Sequence, residues 1–147
     1  MAEERRFDIE ALNLMRLFEM ITRARVRDVL VLEDMTPPRI IFVVDPGNVR
    51  KAVGKKGANI RALRERLGCD VIVVQFTDSP EDFIRSYFRA FTLISVTSKP
   101  VEDGSTMLEV VVAEEEKGRL IGKGGTNLDL ARRLLARHHP KTQLRVL

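Results

Sequence analysis

One stretch of this sequence is written twice, and the repeat limits what the chain can fold into. Gly54, Gly57, Asn59, Arg64 and Leu67 return 68 positions on as Gly122, Gly125, Asn127, Arg132 and Leu135. Lys55 returns as Lys123, and Val43 and Val44 as Val111 and Val112. Lys51, Val53 and Ile60 come back in conservative form as Arg119, Ile121 and Leu128. A fixed offset of this kind marks two copies of one structural unit. Aliphatic matches alone would follow from any shared fold. Lysine and asparagine repeated beside a pair of glycines would not, so the two G-x-x-G loops are the candidate site.

The periodicity gives both copies the same element order. In the first, Ile9, Leu12, Met15, Phe18 and Ile21 recur at three-residue spacing, with Leu14 and Leu17 widening the stripe, and predict an amphipathic helix over 7–27. Strands follow at 29–32 and 40–44, separated by a turn at Met35, Thr36, Pro37 and Pro38. A short helix carries Val49, Ala52 and Val53 into the first loop, and a longer one at 58–67 ends at Gly68. A strand at 71–74 closes the copy.

Residues 77–82 read as a boundary. Ser79 suits a helix N-cap, Pro80 the first helical position and Asp82 the acid of a capping box. Phe83, Ile84, Tyr87 and Phe88 give the apolar face of the next helix, and helical spacing favours an interdomain core over base stacking for Phe83, Tyr87 and Phe88. Strands at 91–96 and 107–112, a turn at 99–104, a helix at 114–121, the second loop, a helix at 126–137 and a strand at 143–146 complete the second copy. The expected division is 1–78 and 79–147.

Net charge over the 147 residues is only +4, but its distribution is uneven. Residues 50–66 hold seven Lys or Arg and one acid, Glu65. Residues 117–141 hold seven and one, Asp129. Basic charge concentrated around both loops points to a polyanion. The loop chemistry fits one. A helix N-terminus offers unpaired N–H groups, glycine lets a phosphodiester chain come close, and Lys55, Lys56 and Lys123 are point charges that need no fixed geometry. Val53, Ile60, Ile121 and Leu128 are candidates for an apolar shelf beside the loops, which unpaired bases could reach and paired bases could not. Arg61, Arg64, Arg119, Arg132 and Gly124 complete the candidate set. Asn59 and Asn127 suit either the loop backbone or a bound strand. Lys56 becomes Gly124 in the second loop and Asp129 follows it, so the first loop is expected to grip harder.

Other chemistries find little support. Gly118 to Lys123 is one position short of a P-loop and continues with Gly124, so nucleotide hydrolysis is not expected. Cys69 is the single cysteine, with no His or Cys at metal-ligand spacing and no activating neighbour in sequence. His138 and His139 have no partner cluster. No catalytic residue, metal or cofactor is expected. The N-terminus has no signal-peptide pattern, no stretch is long enough to span a membrane, and the cysteine usage fits a reducing cytoplasm.

Val53 to Ile60 and Ile121 to Leu128 resemble the signature of the KH family. The resemblance implies an α+β fold of two tandem type II KH domains, each a three-stranded mixed sheet packed against three helices. It also implies clamping of about four nucleotides of single-stranded RNA at each loop. The tandem pair, and the acidic joint from Asp78 to Ile84, resemble the NusA transcription factors. The extent of the chain resembles their archaeal form, without the polymerase-contacting and oligonucleotide-barrel domains of the bacterial one. Where the bacterial joint has Pro-Ala, this chain has Arg89-Ala90. The implied function is a monomeric RNA-binding protein of transcription elongation, termination or antitermination, with RNA polymerase as a further partner. KH proteins of ribosome assembly and translation, and a KH-derived protein scaffold, are the alternatives. Loss of the loop lysines would favour the scaffold, and they are present.

Overall fold

The apolar run at 40–44 lies in strand β2 (Arg39–Val44), the middle of a three-stranded sheet. In the computed structural model, which describes residues 2–33 and 37–147 with side chains from residue 10, every residue of that run is buried. Strand β1 (Val26–Leu32) pairs with β2 antiparallel, and β3 (Asp70–Gln75) pairs with it parallel. A parallel partner needs a crossover. Helices α2 (Val49–Val53) and α3 (Ala58–Leu67) supply it, so the G-x-x-G loop sits inside the crossover. Helix α1 (Ala2–Thr22) precedes the sheet and packs on β1 and α3. Phe18 of α1 stacks on Phe42 of β2 with ring centroids 4.3 Å apart. Val29, Val44, Ala52, Leu63 and Val73 complete the same core. The β-branched residues of this sheet favour a pleated, buried strand, and burying one large apolar side chain contributes about 1.5–3 kcal/mol.

The chain divides into Met1–Phe76 and Thr77–Leu147. The second unit repeats the plan of the first. Helix α4 (Pro80–Tyr87) precedes β4 (Leu93–Pro100) and β5 (Thr106–Val112), which pair antiparallel. Helices α5 (Lys117–Ile121) and α6 (Thr126–His138) carry the crossover to β6 (Thr142–Val146), parallel to β5. The registers agree in detail. Ile40 faces Val71, and Leu108, its counterpart, faces Leu144. Both antiparallel pairs slip at the same rung, between Val26 and Asp28 in one and between Leu93 and Ser95 in the other. Leu108, Val110, Leu120, Ala131, Leu134 and Leu135 are buried, as the helical and strand spacing of the sequence requires.

Several boundaries differ from expectation. The helix predicted to 27 stops at Thr22, whose hydroxyl donates to the Phe18 carbonyl at 2.8 Å and accepts from Ala24 N at 3.0 Å. Arg23 then turns with φ +61°, and β1 begins at Val26 rather than 29. Ile9 lies outside the described side chains, and Met35 and Thr36 outside the described residues. The strand predicted at 91–96 starts two residues later, because Phe91 N is held in a turn by the Phe88 carbonyl. It runs on through Lys99 and Pro100, which pair with Met107 and Thr106; proline is tolerated there at the end of an edge strand. The helix predicted over 114–121 is a 3-10 turn at Glu114–Glu116 followed by α5. Ser79 caps α4 by accepting from Asp82 N, but the carboxylate beside its hydroxyl is that of Glu81, at 3.0 Å. Hydrogen bonds from Ser98 and Ser79 hold the Glu81 carboxyl below its usual range.

Candidate functional site

The two loops share one backbone. Gly54 has φ +78° and ψ 167°, Gly122 φ +82° and ψ 166°. Gly57 and Gly125 both sit in the left-handed region, at φ +75° and +77°. Between each pair runs a single tight turn, closed by Gly57 N on the Gly54 carbonyl at 3.1 Å and by Gly125 N on the Gly122 carbonyl at 3.0 Å. The conformation of the first glycine is essentially closed to other residues. A Cβ on Gly54 would lie 2.8 Å from Asn59 N, and one on Gly122 2.8 Å from Asn127 N. The glycine and the asparagine five residues later are therefore one device, which explains why they recur together.

Each asparagine also binds the turn before its loop. Asn59 Nδ2 donates to the Lys51 carbonyl at 2.7 Å, and Asn127 Nδ2 to the Leu120 carbonyl at 2.8 Å. These carbonyls lie at helix C-termini, where intrahelical partners run out. Both side-chain amides serve the loop backbone. In the second unit the buried Tyr87 adds its hydroxyl on Asn127 Oδ1 at 2.9 Å. Sequence reading placed Tyr87 in the core; that a buried tyrosine hydroxyl needs a partner was the signal for this contact.

The cations divide into two groups. Lys55, Lys56 and Lys123 are exposed at the loop tips. Arg64 and Arg132 sit further down their helices and hold their own sheets. Arg64 Nη2 donates to the Val71 carbonyl at 3.2 Å, and Arg132 Nε to the Leu144 carbonyl at 3.1 Å, two positions that correspond in register. Arg61 donates to the Lys56 carbonyl and so braces the first loop. Its counterpart Asp129 lies 3.6 Å from Arg132, and the second loop is braced instead by the Thr126 hydroxyl on the Lys123 carbonyl. Arg119 lies 3.6 Å from Glu116. Val53 and Ile121 are half-buried, and Ile60 packs on the edge of the first core. Leu128 is only 9% exposed and adds little to any apolar shelf.

Lys56 and Gly124 show how similar the loops are beneath their sequence difference. Both take the left-handed conformation, with φ +55° and +65°. A lysine is held there against its preference, and glycine is not.

The remaining reactive side chains have structural surroundings. His139 Nε2 lies 2.9 Å from the Thr77 carbonyl, and both His138 and His139 pack against the Phe83 ring. Burial, then the neighbouring Asp70, pushes the Cys69 thiol pKa up, which disfavours the nucleophilic thiolate. Among the described residues there is no cluster of three or more potential metal ligands, and no helix is long and apolar enough to cross a membrane.

The KH domain family matches residues 39–110. The chain is 34% identical to a probable transcription termination protein NusA of Halobacterium salinarum, over 90% of this chain and 91% of that protein. A protein of the same description from Methanocaldococcus jannaschii is 28% identical, over 97% of this chain and 75% of the relative. The crystal structure of APE1850 superposes with a TM-score of 0.71 at 30% identity, covering 93% of this chain and 99% of that one. On these relatives and on its KH match, the chain belongs to the archaeal NusA family of KH proteins.

Proposed function

We propose that the protein is a non-catalytic, single-stranded RNA-binding factor of transcription elongation, termination or antitermination. In this reading its units are type II KH domains, residues 1–78 and 79–147, and each binds RNA backbone at its G-x-x-G loop. The contact set is Val53, Gly54, Lys55, Lys56, Gly57, Asn59, Ile60 and Arg61 with Arg64 in the first domain. In the second it is Arg119, Ile121, Gly122, Lys123, Gly124, Gly125 and Asn127 with Arg132, while Leu128 belongs to the core. Lysines and close-approach glycines make the backbone contacts, Asn59 and Asn127 hold the loops in shape, and Arg64 and Arg132 fix the helices that present them. The protein acts as a cytoplasmic monomer, with RNA polymerase as a second partner.

The observation that carries this reading is that two loops of different sequence keep one backbone. Gly54 and Gly122 repeat a conformation that only glycine adopts comfortably, and exposed lysine stands next to each. A scaffold that had lost RNA binding would still need the glycines for its fold, but it would have no use for the exposed lysines beside them.

The test is titration of short single-stranded and duplex RNAs against wild type, Lys55→Asp/Lys56→Asp and Lys123→Asp. Single-stranded RNA should bind more tightly than duplex. The first-loop variant should lose more affinity than the second-loop variant, with a salt slope shallower by about 0.7 for each phosphate it no longer neutralises. Equal binding by the folded first-loop variant and wild type at matched salt would reject the loop assignment. Co-purification with RNA polymerase, compared with ribosomal subunits, separates the transcriptional role from a ribosomal one.

A further inference from the structure

Where α1 ends and α2 begins, the first unit has a pocket of about 290 Å³ lined by Glu19, Arg23, Ala24, Arg25, Asn48 and Lys51. Three of the six are cations and one is an acid. Glu19 and Asn48 support the wall. Glu19 Oε2 accepts from Val26 N at 3.0 Å. Asn48 Oδ1 accepts from Arg25 N at 2.9 Å, while its Nδ2 donates to the Pro46 carbonyl at 3.2 Å. Arg23, Arg25 and Lys51 are exposed, and none of them has an ion pair among the described residues. Lys51 connects the pocket to the loop, because its carbonyl is the one Asn59 grips. Arg23 is held at φ +61°, and Lys56 in the loop at φ +55°. Arg23 closes the end of α1 in this conformation, its N–H on the Glu19 carbonyl at 2.8 Å.

The second unit has the same corner without the pocket's charge. Asp45 N bonds the Arg25 carbonyl in one unit, and Ala113 N bonds the Thr92 carbonyl in the other, so Arg25 and Thr92 occupy one point of the fold. Glu116 stands where Asn48 does and accepts from Thr92 N at 2.8 Å, the same bond with a carboxylate. That carboxylate lies 3.6 Å from Arg119, the counterpart of Lys51, whose guanidinium also lies over the Phe91 ring. At the positions corresponding to Arg23 and Arg25 stand Ala90 and Thr92.

We infer that the pocket of Arg23, Arg25 and Lys51 binds a further phosphate of the RNA strand held at the first loop, and that the second unit has no equivalent site. This rests on the RNA-binding reading proposed for the loops. The ligand is a phosphodiester rather than an acidic protein segment because the pocket adjoins the loop through Lys51, and a continuous polyanion would meet both in turn.

The test compares wild type with Arg23→Ala/Arg25→Ala and with Asn48→Glu. The latter installs the acid of the second unit while keeping an acceptor for Arg25 N. Oligouridylates of about four nucleotides, the span clamped by one KH loop, and of about ten are titrated between 50 and 200 mM salt. Both variants should bind the short RNA as wild type does. They should lose several-fold to about tenfold in affinity for the long one, with a salt slope shallower by about 0.7 per phosphate released. Unchanged binding of the long RNA by both folded variants would overturn the inference. So would an equal loss on the short RNA, which would place the effect in the loop. If instead a polyglutamate peptide bound wild type and lost affinity in Arg23→Ala/Arg25→Ala while RNA binding held, the pocket would belong to an acidic protein partner. Failure of wild type to bind either RNA better than Lys55→Asp/Lys56→Asp would reject the RNA-binding reading itself, and this inference with it.

Discussion

Gly54 and Asn59 form a pair in which each explains the other. The glycine adopts φ +78° and ψ 167°, and the asparagine occupies the space its missing side chain leaves. Gly54→Ala should therefore destabilise the first unit by about 1–3 kcal/mol, visible in a urea melt as a lower midpoint at unchanged slope. The opposite trade is expected at Lys56. Relieved of its left-handed strain, Lys56→Gly should be more stable by about 1 kcal/mol while binding RNA less well, because a loop-tip cation is gone. Thermal unfolding and RNA titration on the same sample check both halves. Gly124 is the natural version of that substitution, since it holds the same conformation at φ +65°.

At the level of elements, helices were easier to read than their ends. The core position of Leu63 in α3 follows from helical spacing, whereas Leu128 of α6, expected on a shelf beside the loop, is buried. The end of α1 does not follow from spacing, because it depends on the Thr22 hydroxyl bonding both Phe18 and Ala24, a local competition that periodicity does not register. The repeat made both loops legible, down to the asparagines. It did not reveal that Arg64 and Arg132 reach sheet carbonyls, since those carbonyls come near only once the crossover has folded. Glu109 is a further case. It looks like a blemish in an apolar strand, yet it is buried on β5, with Lys99 at 2.7 Å and Arg145 Nε at 2.8 Å from the strands on either side. Only register brings the three together. The bonds from Lys99 and then Arg145 hold the Glu109 carboxyl below its ordinary value of 4.5. A depressed folded pKa gives stability that is present above that value and lost as pH falls through the folded one. Glu109→Gln should thus lower the melting temperature at neutral pH and flatten, without abolishing, the acid limb of the stability curve, since Asp103 and Glu81 are shifted the same way. Helix α4 offers a milder test. Tyr87→Phe deletes the hydroxyl on Asn127 and should cost about 1 kcal/mol, with faster amide exchange in the second loop and no change in the first.

For the whole molecule, the proposed function has each unit binding RNA backbone at its own loop. Because backbone contacts carry no base information, binding should depend steeply on salt and weakly on sequence. Replacing Lys123 should reduce affinity for long RNAs while leaving the first unit's grip on short ones intact, a difference that calorimetry with RNAs of graded length would resolve. The shared loop backbone has a consequence for engineering. Gly54 and Gly122 agree within a few degrees, and both loops are anchored by an asparagine at the same distance along the chain. The segments 53–59 and 121–127 therefore share one backbone and can be exchanged as cassettes, with the Arg61 brace of the first left behind and the Thr126 brace of the second carried along. Ile60 and Leu128 stay behind because their own cores claim them. A chimera with the cassettes exchanged should fold as the parent does and carry the two-lysine tip in the second unit, so that the loop's share of the grip travels with it while the share of the Arg23, Arg25 and Lys51 pocket stays with the first unit.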